Sequence, residues 1–265
     1  MTNFHTHSTW CDGKDAPEAM VEAALAKGFS ALGFSSHAAF PVDDGCAMTP
    51  EKGPAYAAEI RSLAAKYAGR IRILLGVEAD YIPGRTAPER ERYARLGLDY
   101  MIGSIHYVVA PDGGTVPVDD TPEALMSGIR EHFAGDARRY VEAYFRQERE
   151  MVAKFDFDIL GHPDLVRKFN AKAPYFDEDA DWYRAEVLRT AAAIADSGKI
   201  VEVNTGAIAR GWLDDAYPSA GFRAALRARG TRFVLSSDAH AAAGLDAAFD
   251  RFGASEAYIQ VGNLI

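Results

Sequence analysis

The side chains that could do chemistry recur at one kind of place in this sequence. Short apolar runs end in His5-Thr6-His7, Ser35-Ser36-His37, Gly76-Val77-Glu78, Ser104-Ile105-His106, Gly161-His162-Pro163-Asp164, Asn204 and Ser237-Asp238-Ala239-His240. Six of the seven histidines occupy such ends; His132 lies in a helical stretch. Neutral imidazole and carboxylate are ligands for zinc, iron and manganese. His5 and His7 are two residues apart, so on extended backbone they share a face, as do Asp238 and His240. Glu78 follows Ile73-Leu-Leu-Gly-Val77, where a carboxylate is costly unless paired or metal-bound. Asp12 is a weaker candidate, because Asp-Gly is also a turn signal. His5, His7, Asp12, His37, Glu78, His106, His162, Asp238 and His240 exceed the needs of one ion and predict two or three divalent ions (Zn, Fe or Mn). Such a cluster suits in-line attack on phosphorus. Paired ions lower the pKa of a bridging water and neutralise phosphoryl oxygens.

Those ends must be brought together by the elements between them. Phe4 opens the first predicted strand. Six more are expected at Ala31–Phe34, Ile71–Val77, Tyr100–Ile105, Asp158–Leu160, Ile200–Val203 and Arg232–Leu235. Helical patterns run over Ala16–Lys27, Pro54–Tyr67, Pro88–Leu96, Glu131–Phe155, Asp181–Ser197 and Ser219–Arg229, and glycines 28, 69, 97, 198 and 230 follow helix ends as stop signals. Strands alternating with helices imply parallel pairing and right-handed crossovers. Seven such units predict an α/β barrel, closed or nearly so, with a doubly wound open sheet as the alternative. In a parallel barrel the C-terminal strand ends share one face, where the active site is built. No linker rich in Pro, Gly or Ser interrupts the chain, so one domain is expected over 1–265. Two long connections, about 38–52 and 107–128, are either lids and substrate-binding segments or surface insertions.

The 265 residues are 48% hydrophobic and 25% charged, enough for a sizeable core and against disorder. A net charge of −9 disfavours nucleic acid and anionic membranes as partners. Cys11 and Cys46 are too few for a disulfide framework, and no signal peptide or membrane span is visible, so a soluble cytoplasmic protein is expected. A phosphate dianion entering so acidic a protein needs local positive charge. Arg167 and Arg210 follow the fifth and sixth strands, and a guanidinium fork matches phosphate; Lys168 could replace Arg167. Arg210→Ala is expected to raise KM at least about tenfold with metal content intact. Asp43, Asp44 and Asp80 could meet a cationic amine, and Trp10, Tyr81 and Tyr107 could stack on an imidazole.

Taken in order, His5-x-His7, Asp12-Gly13, His37, Gly-x-Glu78, Ser-x-His106, Gly-His162-x-Asp and Ser-Asp238-Ala-His240 resemble the PHP (polymerase and histidinol phosphatase) superfamily. Gly103–Tyr107, Gly161–Phe169, Glu202–Arg210 and Tyr217-Pro-Ser219 are similar to its histidinol-phosphate phosphatase branch. The resemblance implies a distorted seven-stranded (β/α), TIM-like barrel with a trinuclear centre. One ion would lie on His5, His7, Glu78 and Asp238, a second on Glu78, His106 and His162, and a third on Asp12, His37 and His240. It also implies hydrolysis of L-histidinol phosphate by a hydroxide bridging two ions, with Glu78, Asp238 and His240 as catalytic candidates and Arg167 and Arg210 on the phosphate. The alternatives are a phosphoesterase of the same fold acting on nucleotides, oligonucleotides or another small phosphoester, a non-catalytic metal-binding module, and an amidohydrolase acting on a C–N bond. Amidohydrolases usually bridge their metals with a lysine, where this chain offers Glu78.

Overall fold

The computed structural model describes residues 1–39, 45–254 and 258–259. Its strands are β1 Thr2–Asn3, β2 Ala31–Phe34, β3 Arg72–Asp80, β4 Tyr100–Ser104, β5 Tyr107–Val109, β6 Thr115–Pro117, β7 Ile159–Leu160, β8 Ile200–Asn204 and β9 Phe233–Ser236. Its α-helices are α1 Pro17–Ala26, α2 Gly53–Lys66, α3 Pro122–His132, α4 Ala137–Lys154, α5 Asp181–Ser197, α6 Gly206–Ala209, α7 Ala220–Arg227 and α8 Phe249–Phe252. Seven parallel strands pair in the order β1-β2-β3-β4-β7-β8-β9. The ring closes just beyond its first and last strands, where Thr6 bridges Ala239 in parallel and the His7 N–H donates to the Ala239 carbonyl at 2.9 Å. The open-sheet alternative is thereby set aside, and the structure is a distorted, nearly closed seven-stranded barrel.

Side chains alternate along each strand. On β3, Ile73, Leu75 and Val77 join the outer core under the helices, whereas Leu74 joins an inner cluster with Phe4, Ala31, Tyr100, Ile102, Ile159, Ile200 and Val234. This inner cluster plugs the barrel below the site. Tyr100 crosses the interior and donates its hydroxyl to the Phe4 carbonyl at 2.6 Å. It fits because Gly33 and Gly76 have no side chain; a Cβ there would lie 2.4 and 2.5 Å from the Tyr100 phenol. Above this plug the inward positions become polar, with Glu78, Ser104, Glu202 and Asn204 all buried.

Several expected boundaries shift for local reasons. The first strand ends before Phe4, because the Asn3 side chain takes the His5 N–H at 3.1 Å in place of a ladder bond. The third runs on to Asp80, so Glu78 lies inside the strand rather than at its end. The helix expected at Pro88 is a 3-10 segment over Arg90–Leu96, since Glu89 is extended. The long helix expected over Glu131–Phe155 is two helices, broken where Ala134 and Gly135 take positive φ, and α4 restarts on an Asp136 cap. The connection over 107–128 contains the β5–β6 hairpin and the start of α3. Gln147 on α4 secures that hairpin, donating to the Tyr81 and Tyr107 carbonyls and accepting from the Val109 N–H. Among the described residues, no helix is long and apolar enough to cross a membrane.

Candidate metal centre

Glu78 stands at the middle of the open end. Its Oε2 is 3.1 Å from His5 Nε2, 3.1 Å from His37 Nδ1 and 3.5 Å from His7 Nε2. Its Oε1 is 2.8 Å from His162 Nε2 and 3.6 Å from His106 Nε2, and accepts from Ser104 Oγ at 2.6 Å. One carboxylate therefore faces five imidazoles. Asp238 Oδ1 lies 3.2 Å from His7 Nε2 and 3.6 Å from His5 Nε2, and its Oδ2 accepts from Arg210 at 2.8 Å. Asp12 is 3.2 Å from His240 Nε2, and its other oxygen is 3.8 Å from His7 Nδ1 and 3.9 Å from His37 Nε2. All nine expected donors thus meet in one place, beside a cleft of ≈ 840 Å³.

This donor set fits divalent cations. His5 Nε2, His7 Nε2, His37 Nδ1 and Glu78 Oε2 are buried and make no hydrogen bond, although their separations of 3.1 to 3.5 Å are short enough for one. The length is right and the alignment is not. These atoms converge on a shared space instead of meeting along N–H···O lines. Four sets of donor atoms lie within 4.8 Å of one another: His7, Asp12, His37 and His240; His5, His7 and Asp238; His5, Glu78 and His162; and His37, Asp80 and His106. The first contains the implied third group with His7 added, and the second is part of the implied first; the third joins His5 rather than His106 to Glu78 and His162, and His106 groups with His37 and Asp80.

The electrostatics keep the oxygens anionic. Burial pushes the Glu78 carboxyl up, but His5, His37 and His106 overcome it and hold it well below the usual carboxylate range. Burial likewise opposes the ionised form of Asp238, and Arg210 and His5 reverse that. Asp12 is lowered against its burial by the His240 hydrogen bond and the charges of His7 and His37. The backbone is bent to aim these groups, with φ of 51° at Asp238, 25° at His162 and 65° at Asp164. Left-handed backbone costs a non-glycine residue about 1–2 kcal/mol, and the site supplies restraints. Arg210 also donates to the Asp238 carbonyl at 3.2 Å, and Asp164 accepts the Ser219 N–H at 2.9 Å.

Other expected residues are divided by the structure. Arg210 lines the cleft. Arg167 does not: it is buried, with Nε on Glu178 at 2.6 Å and a terminal nitrogen 3.6 Å from Asp164. Lys168 takes its place at the cleft, donating to the Asp119 carbonyl and carboxylate at 2.6 and 3.0 Å. Asp80 is not free for an amine, because both its oxygens lie 3.0 Å from His106 Nδ1. Tyr107 lines the cleft, whereas Tyr81 packs on Phe155 and Trp10 donates to Glu59. Asp43 and Asp44 lie outside the described residues. Of the connection over 38–52, Cys46 reaches the cleft; Tyr107, Pro117, Asp119 and Asp120 bring the 107–128 segment there too. His132 pairs with Asp112 away from the centre. Sequence reasoning missed Glu202, although an acid inside Ile-Val-Glu-Val-Asn carries the same signal as Glu78.

A model of the PHP domain matches residues 3–206. The chain is 31% identical over 246 residues to a Deinococcus radiodurans protein named probable histidinol-phosphatase, covering 91% of this chain and 86% of that one. It superposes on a Listeria monocytogenes protein described as a candidate histidinol phosphatase, with a TM-score of 0.81, 20% identity, and 95% and 100% of the two chains covered. It also superposes on the Lactococcus lactis histidinol phosphate phosphatase complexed with zinc, L-histidinol and phosphate, with a TM-score of 0.62, 20% identity, and 91% and 86% covered. At such identities the two structures establish a shared fold.

Proposed function

The chain belongs to the PHP domain family, and from that premise we propose that it is a metal-dependent phosphomonoesterase that hydrolyses L-histidinol phosphate to L-histidinol and phosphate, a step in making histidine. The observation that carries the reading is the Glu78 carboxylate faced by five imidazoles, with Asp12, Asp238 and His240 completing nine donors around it. The Deinococcus relative of comparable length supports the substrate. His5, His7, Glu78 and Asp238 would hold one ion, Glu78, His106 and His162 a second, and Asp12, His37 and His240 a third; zinc, iron and manganese all suit them. Bound there, such ions supply Lewis acidity toward phosphoryl oxygens and an acidified water.

The chain's own residues bind and orient. Arg210 uses donors on Asp238 and keeps others of its five for a phosphoryl oxygen at the cleft. Lys168 adds a second cation, held by Asp119 at the wall formed after the β5–β6 hairpin. Both offset the charge of −9 that the substrate meets. In the reaction a water oxygen bonds to phosphorus as the ester P–O bond breaks; the water loses a proton and the histidinol oxygen gains one. Two cysteines, Cys11 and Cys46, are too few for a disulfide framework, which suits a reducing, cytoplasmic setting. The test is kcat/KM for histidinol phosphate against nucleotides, sugar phosphates and phosphodiesters on a metal-analysed sample. Histidinol phosphate is expected to lead by at least about tenfold, roughly the worth of one good charge-assisted contact. Higher efficiency on a nucleotide or a diester would overturn the assignment.

A further inference from the structure

Strand β8 carries a carboxylate that contacts neither the cleft nor the space between the nine donors. Glu202 has no exposed surface, and its neighbours Val201 and Val203 pack in the outer core, so it points into the barrel. Its Oε1 accepts the main-chain N–H of His162 at 2.6 Å and the Asn204 amide nitrogen at 2.8 Å. Its two oxygens lie 3.1 and 2.9 Å from His5 Nδ1. This one group ties β8 to the segments that follow β1 and β7, which deliver His5 and His162 to opposite oxygens of Glu78. His162 needs such a tie. Its φ is 25°, and its own Nδ1 makes no hydrogen bond, so among the described residues Glu78 alone hydrogen-bonds the ring, which otherwise packs against His5, His106 and Tyr217.

We propose that Glu202 is the positioning residue of the centre: it holds His5 as the Nδ1–H tautomer, with the Nε2 lone pair turned to Glu78 and Asp238, and pins the His162 main chain so that its ring meets Glu78 from the other side. The inference rests on the metal reading above. An ionised carboxylate accepts hydrogen bonds and cannot donate them. The proton between Glu202 and His5 therefore sits on Nδ1, leaving Nε2 able to ligate. Such an outer partner orients a ligand and raises its basicity, and its loss typically weakens metal binding about 10- to 100-fold. Glu202→Gln is the sharp probe. The amide oxygen can still accept from His162, but the NH₂ then faces His5 Nδ1 and favours the Nε2–H tautomer, which cannot ligate through Nε2.

The experiment measures zinc affinity by competition with a coloured chelator for the unaltered protein and for Glu202→Gln. It adds nitrogen-15 imidazole spectra of the zinc-loaded, unaltered protein. The expected results are a loss of about 10- to 100-fold in Glu202→Gln, with unchanged far-ultraviolet circular dichroism, and His5 protonated at Nδ1 in the spectra. Equal zinc affinity in a folded Glu202→Gln overturns the proposal, as does His5 protonated at Nε2. Zinc on Nε2 by itself leaves the proton on Nδ1, so the spectral sign specific to Glu202 is a strongly deshielded Nδ1–H proton, as its 2.9 Å contact with the carboxylate requires; an ordinary Nδ1–H shift would overturn the proposal. Should the variant fail to fold, the spectra of the unaltered protein decide. If the unaltered protein binds no zinc, iron or manganese, the metal reading itself falls, an outcome distinct from zinc bound equally by both proteins.

Discussion

Replacing Arg210 by alanine removes both donors that restrain Asp238, at 2.8 Å on its carboxylate and 3.2 Å on its carbonyl. Asp238 is buried, with its backbone in the left-handed region, and its remaining neighbours are imidazoles. Breaking a buried ion pair from one side costs about 3–5 kcal/mol. The Arg210 side chain is 33% exposed, so water replaces part of what is lost, and about 2–3 kcal/mol is the figure to expect. For a chain of this size that is a fall in Tm of about 4–12 °C. Sequence alone predicts a higher KM with metal content intact. The contact with Asp238 alters that expectation: zinc affinity falls as KM rises. Arg167→Ala is the matched comparison, because Arg167 holds Glu178 and Asp164 away from the cleft. More deeply buried, it is expected to lose more stability, about 3–5 kcal/mol, with zinc affinity unchanged. Calorimetry of the metal-free proteins and chelator competition read the two quantities separately. An Arg210→Ala protein that binds zinc normally would refute the reasoning, as would an Arg167→Ala protein that loses zinc equally.

Gly76→Ala places a Cβ 2.5 Å from the Tyr100 ring, and such overpacking is expected to cost about 1–3 kcal/mol in urea denaturation; no loss would mean that the inner plug is loose. Asp80→Asn removes the charge that orients His106 and is expected to lower metal affinity about tenfold or more, with the metal-free fold intact by circular dichroism. Lys168→Met is expected to raise KM for a phosphomonoester by several-fold, of the order of one charge-assisted contact, at unchanged metal content, as steady-state kinetics would record. The metal-free protein also has a defined pH response. His5 and His106 resist burial because Glu202 and Asp80, with Glu78, raise them well above their ordinary value. Their contribution is complete below about pH 6.5 and is lost as pH rises through the raised values. Glu78 and Asp238 are depressed, so theirs is present above about pH 4 and lost as pH falls. The Tm of the metal-free protein is therefore expected to be highest near pH 5–6 and to fall toward pH 9; a continuous rise to pH 9 would contradict this.

Much of the site was legible because polar residues at the ends of apolar strands are expensive without a purpose, and eight of the nine donors repeat that pattern, Asp12 standing in a loop. His5, Glu78 and Asp238 could be named from sequence on this ground. Arg167 and Lys168 could not be told apart, because adjacent residues on a tight 3-10 turn point to different sides, and only packing chose Lys168 for the cleft. Glu202 was overlooked for an opposite reason: its partners, His5 and His162, lie 197 and 40 residues away and become visible only when the barrel closes. The seven barrel strands and their parallel pairing followed from alternation, whereas the β5–β6 hairpin did not. The break at Ala134-Gly135 did not, because the apolar face continues from α3 into α4 and hides the change of direction.

The central claim concerns where cations sit. Anomalous X-ray diffraction from crystals soaked in zinc, iron or manganese would locate them directly. Two or three peaks are expected between Glu78 and the surrounding imidazoles, with one against Asp12, His37 and His240. Peaks elsewhere, or a fully hydrogen-bonded, ion-free cluster in metal-soaked crystals, would contradict it.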